Sequence, residues 1–214
     1  MSSEWVERLR KLYTPVVADV LDKLGYRMQT MKPSLRPLFP EAKCAGVALT
    51  VQVVPAREVS PKTPYEGELL AVDALKADDV MVVSEGEWSF WGELLSTAAK
   101  FRGCRGVVID GFTRDTQAIK EMNFPVFCRG IHPADSLGRL EVTAHHVRIE
   151  CGDVMVDPGD LILADLDGIV VIPQEVAEQV LSLAEEKVRG ENLVRKALQE
   201  GMTTTEAFRK FGIL

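Results

Sequence analysis

An α/β fold with a parallel βαβαβ core, a β-hairpin region and a C-terminal helical extension is predicted by three features of the sequence. Short apolar runs at residues 79–84, 106–109 and 125–128 alternate with amphipathic segments at 93–102 and 115–122, and strands alternating with helices build a parallel sheet. Between Val142 and Pro173 the runs shorten and are punctuated by Cys151-Gly152-Asp153, Asp157-Pro158-Gly159 and Asp167-Gly168, which are turn signals of antiparallel hairpins. From Gln174 to Gln199 the spacing becomes helical.

The elements follow in order. Trp5, Val6, Leu9 and Leu12 have helical spacing, as do residues 16–24, with Gly25 as the stop. Thr14-Pro15 reads as the N-cap and first-turn pair of the second helix. Residues 31–40, with Pro33, Pro37 and Pro40, read as a covering loop, and 45–54 as a strand. Residues 66–77 predict a helix with Leu69, Leu70, Val72 and Leu75 on its apolar side. A loop then precedes Gly92, and the βαβαβ segment follows. If its crossovers are right-handed, both of its helices start at the carboxyl edge of one sheet, where open α/β sheets bind ligands. At the far end, Thr203-Thr204-Thr205-Glu206 has capping-box spacing for a last short helix.

Composition excludes several functions. A chain of 214 residues that is 46% hydrophobic can bury one sizeable core, which sets disordered and fibrous classes aside. A net charge of -7 with interspersed basic residues argues against nucleic acid as a partner. Cys44, Cys104, Cys128 and Cys151 have no metal-finger spacing and read as buried, reduced thiols of a cytoplasmic protein. The charged, amphipathic N-terminal stretch does not resemble a signal peptide, and no apolar run approaches the ~20 residues of a membrane span.

The candidate chemistry lies at the predicted sheet edge. Gly92-Glu93-Leu94-Leu95 opens a helix whose first-turn amides lack intrahelical acceptors and carry the positive end of the dipole. A carboxylate or phosphate would be held there. The same four letters recur at Gly67-Glu68-Leu69-Leu70, so the string alone carries little weight. Arg114 can fork two hydrogen bonds onto a carboxylate, and Asp115 is a hard oxygen ligand for Mg²⁺ or Mn²⁺. The bland alternative is a surface pair in which Asp115 caps its own helix. Twenty residues, 94 to 113, lie between Glu93 and Arg114, whereas the same offset from Glu68 reaches Ser89-Phe90. His132, His145 and His146 are too few and too poorly spaced for a zinc triad, and His145 and His146, as strand neighbours, should face opposite ways. Trp88 and Trp91 flank the loop before Gly92 and either line a pocket or pack it.

Gly92-Glu93-Leu94-Leu95, the gap, and Arg114-Asp115 resemble the motif of the class II pyruvate aldolases acting on 4-hydroxy-4-methyl-2-oxoglutarate and 4-carboxy-4-hydroxy-2-oxoadipate, a family related in fold to the regulator of ribonuclease activity A. The likeness runs from about Thr14 to Pro173 and includes the strand from Gly106 to Gly111 and the segment from Pro158 onward. It implies a swivelling β/β/α fold over residues 1–173, an extension at 174–214 packing on a neighbouring subunit, and a homotrimer or homohexamer. It also implies that Gly92, the Leu94 and Leu95 amides and Arg114 hold a 2-oxo acid. Asp115 would bind Mg²⁺ or Mn²⁺ directly and Glu93 through water, although many members have Asp in place of Glu93. Glu191, with Glu186 behind it, is the nearest match to a glutamate supplied by a neighbouring subunit, with a solvated helix face as the alternative. Ser136 is expected near Arg114.

The resemblance implies a metal-dependent lyase that releases pyruvate from a 4-hydroxy-2-oxo acid, with oxaloacetate decarboxylation as related chemistry. A Schiff-base mechanism is disfavoured because the predicted parallel strands contain no Lys. The competing function is a non-catalytic, ribonuclease-regulator-like binding protein. Asp115 and the long C-terminal helix favour the enzyme. A methyltransferase finds no support, since no Gly-rich nucleotide turn follows the first core strand.

Overall fold

The computed structural model describes residues 2–213. Helices α1 (Ser2–Leu9) and α2 (Thr14–Lys23) come first, then a two-residue strand β1 (Arg36–Pro37) within the proline-rich loop, and the long strand β2 (Cys44–Pro55). Next come α3 (Glu66–Asp73), β3 (Asp79–Val83), β4 (Ser89–Trp91), α4 (Glu93–Phe101), β5 (Gly106–Thr113), α5 (Thr116–Glu121) and β6 (Val126–Ile131). Strands β7 (Leu140–His145), β8 (Ile149–Cys151), β9 (Val154–Val156), β10 (Leu161–Ala164) and β11 (Ile169–Ile172) precede a 3₁₀ turn, Gln174–Val176, and helices α6 (Ala177–Gln199) and α7 (Thr204–Phe211).

The main sheet has the order β1-β6-β5-β3-β2-β10-β11, with β4 added to β5 and β7 to β2, and β8-β9 form a separate hairpin. Strands β2, β3, β5 and β6 run parallel to their neighbours in this group, and the β10-β11 hairpin joins β2 antiparallel. β3 and the first half of β5 are buried without alternation, as expected of strands covered on both faces. One face meets the hairpin side, where Ile149, Cys151, Val154 and Val156 pack with Val80, Val82, Val108 and Phe127. The other meets α3, α4 and α5, where Met81, Val83, Val107 and Ile109 pack with Ala71, Val72, Ala99 and Ile119. These are the β, β and α layers. Ile119 is wholly buried, and its truncation to Ala would cost ~2–5 kcal/mol. Buried Asp110 is matched by Lys32 Nζ at 3.0 Å and Arg129 Nε at 3.2 Å, and its Oδ2 accepts from the Gly152 amide, tying the hairpin to β5.

Four expectations are corrected. Thr14 is not the N-cap: Tyr13 occupies that position without a side-chain cap, and the Thr14 hydroxyl donates to Asp165 Oδ1 at 2.6 Å instead. Leu69 and Leu70 are exposed, because α3 turns Glu68, Ala71 and Val72 inward, and the helix stops at Asp73, short of the predicted residue 77. The segment before Gly92 is a strand rather than a loop, since β4 pairs with the end of β5. His145 and His146 do not diverge: His146 leaves the strand with φ +57°, and the two Nδ1 atoms lie 2.9 Å apart. The C-terminal extension packs on its own chain as well. Ala177, Val180, Leu181 and Ala184 of α6 share a core with Val6, Leu9, Val17 and Leu21 of α1 and α2. The capping box at Thr203 and Glu206 forms as predicted. The four cysteines are free and buried.

Candidate active site

Two strand ends fix the site. Parallel pairing sets Trp91 of β4 against Thr113 of β5, and the Arg114 amide and Thr113 Oγ1 both donate to the Trp91 carbonyl, at 3.0 and 3.1 Å. Each chain segment then turns into a helix, so Gly92-Glu93 and Arg114-Asp115 lie side by side. Trp91 is buried, stacked between Phe90 and Phe124, and its indole N–H donates to Ser96 Oγ, which in turn donates to the Gly92 carbonyl. The start of α4 is thereby held rigidly, and Trp91 acts by packing.

Asp115 does not cap its own helix. Its backbone is left-handed, φ +55°, with no side-chain bond to α5, and its Oδ2 accepts from the Glu93 amide of α4 at 3.1 Å. A carboxylate thus already stands at the positive end of α4, where the dipole stabilises it. A non-glycine residue in this conformation is strained, although Asp tolerates it better than most. Gly92 is required for closeness rather than for φ, which is extended at -153°: a Cβ there would fall 2.6 Å from Asp115 Oδ2. The amides of Leu94 and Leu95 lie in the same first turn and have no intrahelical acceptor.

Arg114 places Nη2 3.4 Å from Asp135 Oδ1 and Nε 3.9 Å from Asp115 Oδ2. A cavity of about 260 Å³ lies in front of it, lined among others by Trp91, Gly92, Leu94, Leu95, Arg114 and Asp115. Every predicted substrate-binding residue therefore reaches one concavity. Glu93 behaves differently: its carboxylate accepts from Thr97 Oγ1 one turn along α4, at 2.9 Å, and it is not among the residues lining the cavity. Ser136 is buried beside Asp135, to whose Oδ1 its amide donates at 2.8 Å, so it does approach Arg114. Glu191 accepts from the Tyr13 hydroxyl and pairs with Lys187, and Glu186 borders a separate groove with Asp19 and Phe208; neither reaches this cavity within its own chain. His132 is held by Trp88 and Phe112, with Nδ1 accepting from the Ala134 amide.

Four polar residues of the cavity were not predicted: Tyr65, Glu68, Ser89 and Asp135. Tyr65 caps the geometry of α3 with φ +61° and donates its hydroxyl to Asp135, a bond that, with burial, raises its pKa. Glu68 is only 9% exposed. Burial pushes its carboxyl up to about 7, Asp135 adding to the rise while the Ser136 hydroxyl and Arg114 oppose it. The signal was present in the spacing, because Ala71 and Val72 stand at i+3 and i+4 from Glu68 on the buried face of α3. It belongs to the upstream Gly-Glu-Leu-Leu string, Gly67-Glu68-Leu69-Leu70, which no Arg-Asp pair follows at the same offset.

A model of the RraA-like family, described as Aldolase/RraA, matches residues 14–171. The chain belongs to that family. Among its relatives, a Halalkalibacterium halodurans protein named "Putative 4-hydroxy-4-methyl-2-oxoglutarate aldolase" is 32% identical over 96% of this chain and 93% of its own length. An uncharacterized protein from Pseudomonas syringae pv. tomato superposes with a TM-score of 0.88 at 27% identity, covering 99% of this chain and 95% of the other. Streptomyces coelicolor RraAS2, described as an unusual member of the RNase ES inhibitor RraA protein family, gives 0.81 at 29% identity over 90% and 97%. The fold is shared with the Pseudomonas protein along almost the whole chain, helix α6 included, and with the Streptomyces protein over nine-tenths of it.

Proposed function

We propose that this RraA-like protein is a lyase that cleaves a 4-hydroxy-2-oxo carboxylic acid to pyruvate by retro-aldol chemistry, with oxaloacetate decarboxylation as a related activity. The observation that carries the reading is the convergence of the Arg114 guanidinium, the free first-turn amides of α4 and the Asp115 carboxylate on one cavity. A 2-oxo acid presents a carboxylate beside a carbonyl. The Leu94 and Leu95 amides and the Arg114 fork suit the carboxylate, and the cationic guanidinium favours negative charge as it develops on the carbonyl oxygen.

The donor set fits a divalent cation of the Mg²⁺ or Mn²⁺ kind. Asp115 offers a half-exposed hard oxygen. Among the described residues no group of three His, Cys, Asp or Glu side chains is gathered to hold a metal, so water and substrate would have to supply most ligands of an ion held by Asp115. Asp115 would hold the ion directly, and Glu93 would reach it through water only by leaving Thr97 Oγ1, to which its carboxylate is turned outside the cavity. When bound, it supplies a Lewis acid to the 2-oxo group. Trp91 and Phe90 form a dry wall behind the reacting atoms, and Arg114, steadied by Asp135, orients the acid end of the substrate.

Pyruvate release from a panel of 4-hydroxy-2-oxo acids and from oxaloacetate, with Mg²⁺ or Mn²⁺ and again after chelation, tests the reading. Turnover that needs the ion and is lost in Arg114→Ala supports it; no turnover with any acid removes it. The second reading, a ribonuclease-regulator-like binding protein, draws on the likeness to the Streptomyces protein. Ribonuclease binding indifferent to Asp115→Ala would favour it. Assembly as a homotrimer or homohexamer belongs to the proposal, and sedimentation checks it.

A further inference from the structure

The scheme above leaves one buried carboxylate of the cavity unused. Of the three acids lining it, Asp115 accepts from the Glu93 amide, and Asp135 accepts from Tyr65 and the Ser136 amide with Arg114 alongside. Glu68 is held at one oxygen only. Its Oε2 accepts from Ser136 Oγ at 2.9 Å, and Oε1 takes no donor among the described residues. It also borders a second cavity of about 350 Å³, so it stands in the wall between two spaces. The charged groups around it are Arg114, Asp115 and Asp135 from the first cavity and Arg57, Glu58, Glu66 and Glu141 around the second, with Tyr65 shared by both.

Resting on the lyase reading, we propose that Glu68 is the proton-exchanging group of the Arg114 cavity, taking the hydroxyl proton of the 4-hydroxy-2-oxo acid and returning it to the three-carbon product. As the O–H bond breaks, its proton passes to the Glu68 carboxylate and its electron pair forms the new carbonyl at C4. The C3–C4 bond breaks, and its pair is left on the pyruvate enolate. The Glu68 carboxylic acid then gives its proton to C3, which becomes the methyl group, and the carboxylate is restored. No oxidant or reductant is required. A carboxyl poised near neutrality exchanges protons efficiently in both directions, and burial with Asp135 nearby brings Glu68 to about 7.

The same group should remove a proton from the methyl carbon of pyruvate, so the test is exchange of the methyl protons of pyruvate in D₂O with Mg²⁺, followed by proton NMR. In Glu68→Gln, exchange should slow by ~100-fold or more, the usual scale for losing a general base, while the pyruvate affinity of the protein stays within about threefold and Glu68→Asp recovers part of the rate. Ser136→Ala, which removes the hydroxyl that favours the carboxylate, should move the rising limb of the pH profile to higher pH. Wild-type exchange matched by Glu68→Gln, or a limb unmoved by Ser136→Ala, overturns the assignment and leaves the lyase reading standing. Wild-type protein that neither exchanges nor cleaves overturns both.

Discussion

Replacing Glu68 by Gln should make the protein more stable above neutrality and leave it unchanged in mild acid. The Glu68 carboxyl stands at about 7 in the folded chain, against an ordinary value of 4.5. Because the folded value is raised, the folded state binds the extra proton between these limits, and stability falls as pH rises from about 4.5 to about 7. Each pKa unit corresponds to about 1.4 kcal/mol, so the full penalty above pH 7 is on the order of 3 kcal/mol. Gln fills almost the same space, keeps an oxygen for the Ser136 hydroxyl, and carries no charge to desolvate. Urea denaturation of both proteins at one protein concentration, from pH 4.5 to 8, reads the effect. The difference in unfolding free energy should be near zero at the acid end and grow to roughly 2–3 kcal/mol in favour of the variant at pH 8. A difference that is flat across this range would refute the assignment of a raised carboxyl to Glu68, and with it the burial argument.

Asp115→Asn should keep the left-handed backbone and an oxygen acceptor for the Glu93 amide, changing stability by less than about 0.5 kcal/mol, while pyruvate release falls by ~100-fold or more; thermal melts and initial rates measure the two. Gly92→Ala should fold normally, since its φ of -153° suits any residue, but its Cβ would displace the Asp115 carboxylate from 2.6 Å. Its pyruvate affinity and turnover should both drop about tenfold or more, and wild-type values would show that the close approach is unimportant. Burial pushes the Cys104 and Cys128 thiols up to about 11 and those of Cys44 and Cys151 higher still. None of the four should therefore react with an aromatic disulfide reagent at pH 8 until denaturant is added.

Where helix and strand periodicity coincided with burial, the sequence was a sufficient guide. The apolar runs of β3, β5 and β6 alternate with the amphipathic α4 and α5, and a strand-helix-strand crossover returns each strand parallel to the one before, with helices covering one face. That arrangement alone brought Gly92-Glu93-Leu94-Leu95 and Arg114-Asp115 to one edge. β4 escaped notice because three residues have no readable period; only pairing with the end of β5 makes them a strand. The same limit applied to α3, whose leucines suggested an apolar side that the fold left exposed while burying Glu68.

The sequence by itself determined the βαβαβ core, the hairpins, the capped last helix and the meeting of Gly92-Glu93 with Arg114-Asp115 at one sheet edge, because these depend on local periodicity and on turn and capping chemistry. Tertiary structure decided which helix Asp115 caps, why Gly92 admits no side chain, and that Glu68, Tyr65, Asp135 and Ser136 share one hydrogen-bonded cluster beside Arg114. Those facts depend on distances between segments far apart in the chain. No sequence period encodes them, since they arise only when the packed layers bring α3, β4, the end of β5 and the Asp135 loop together.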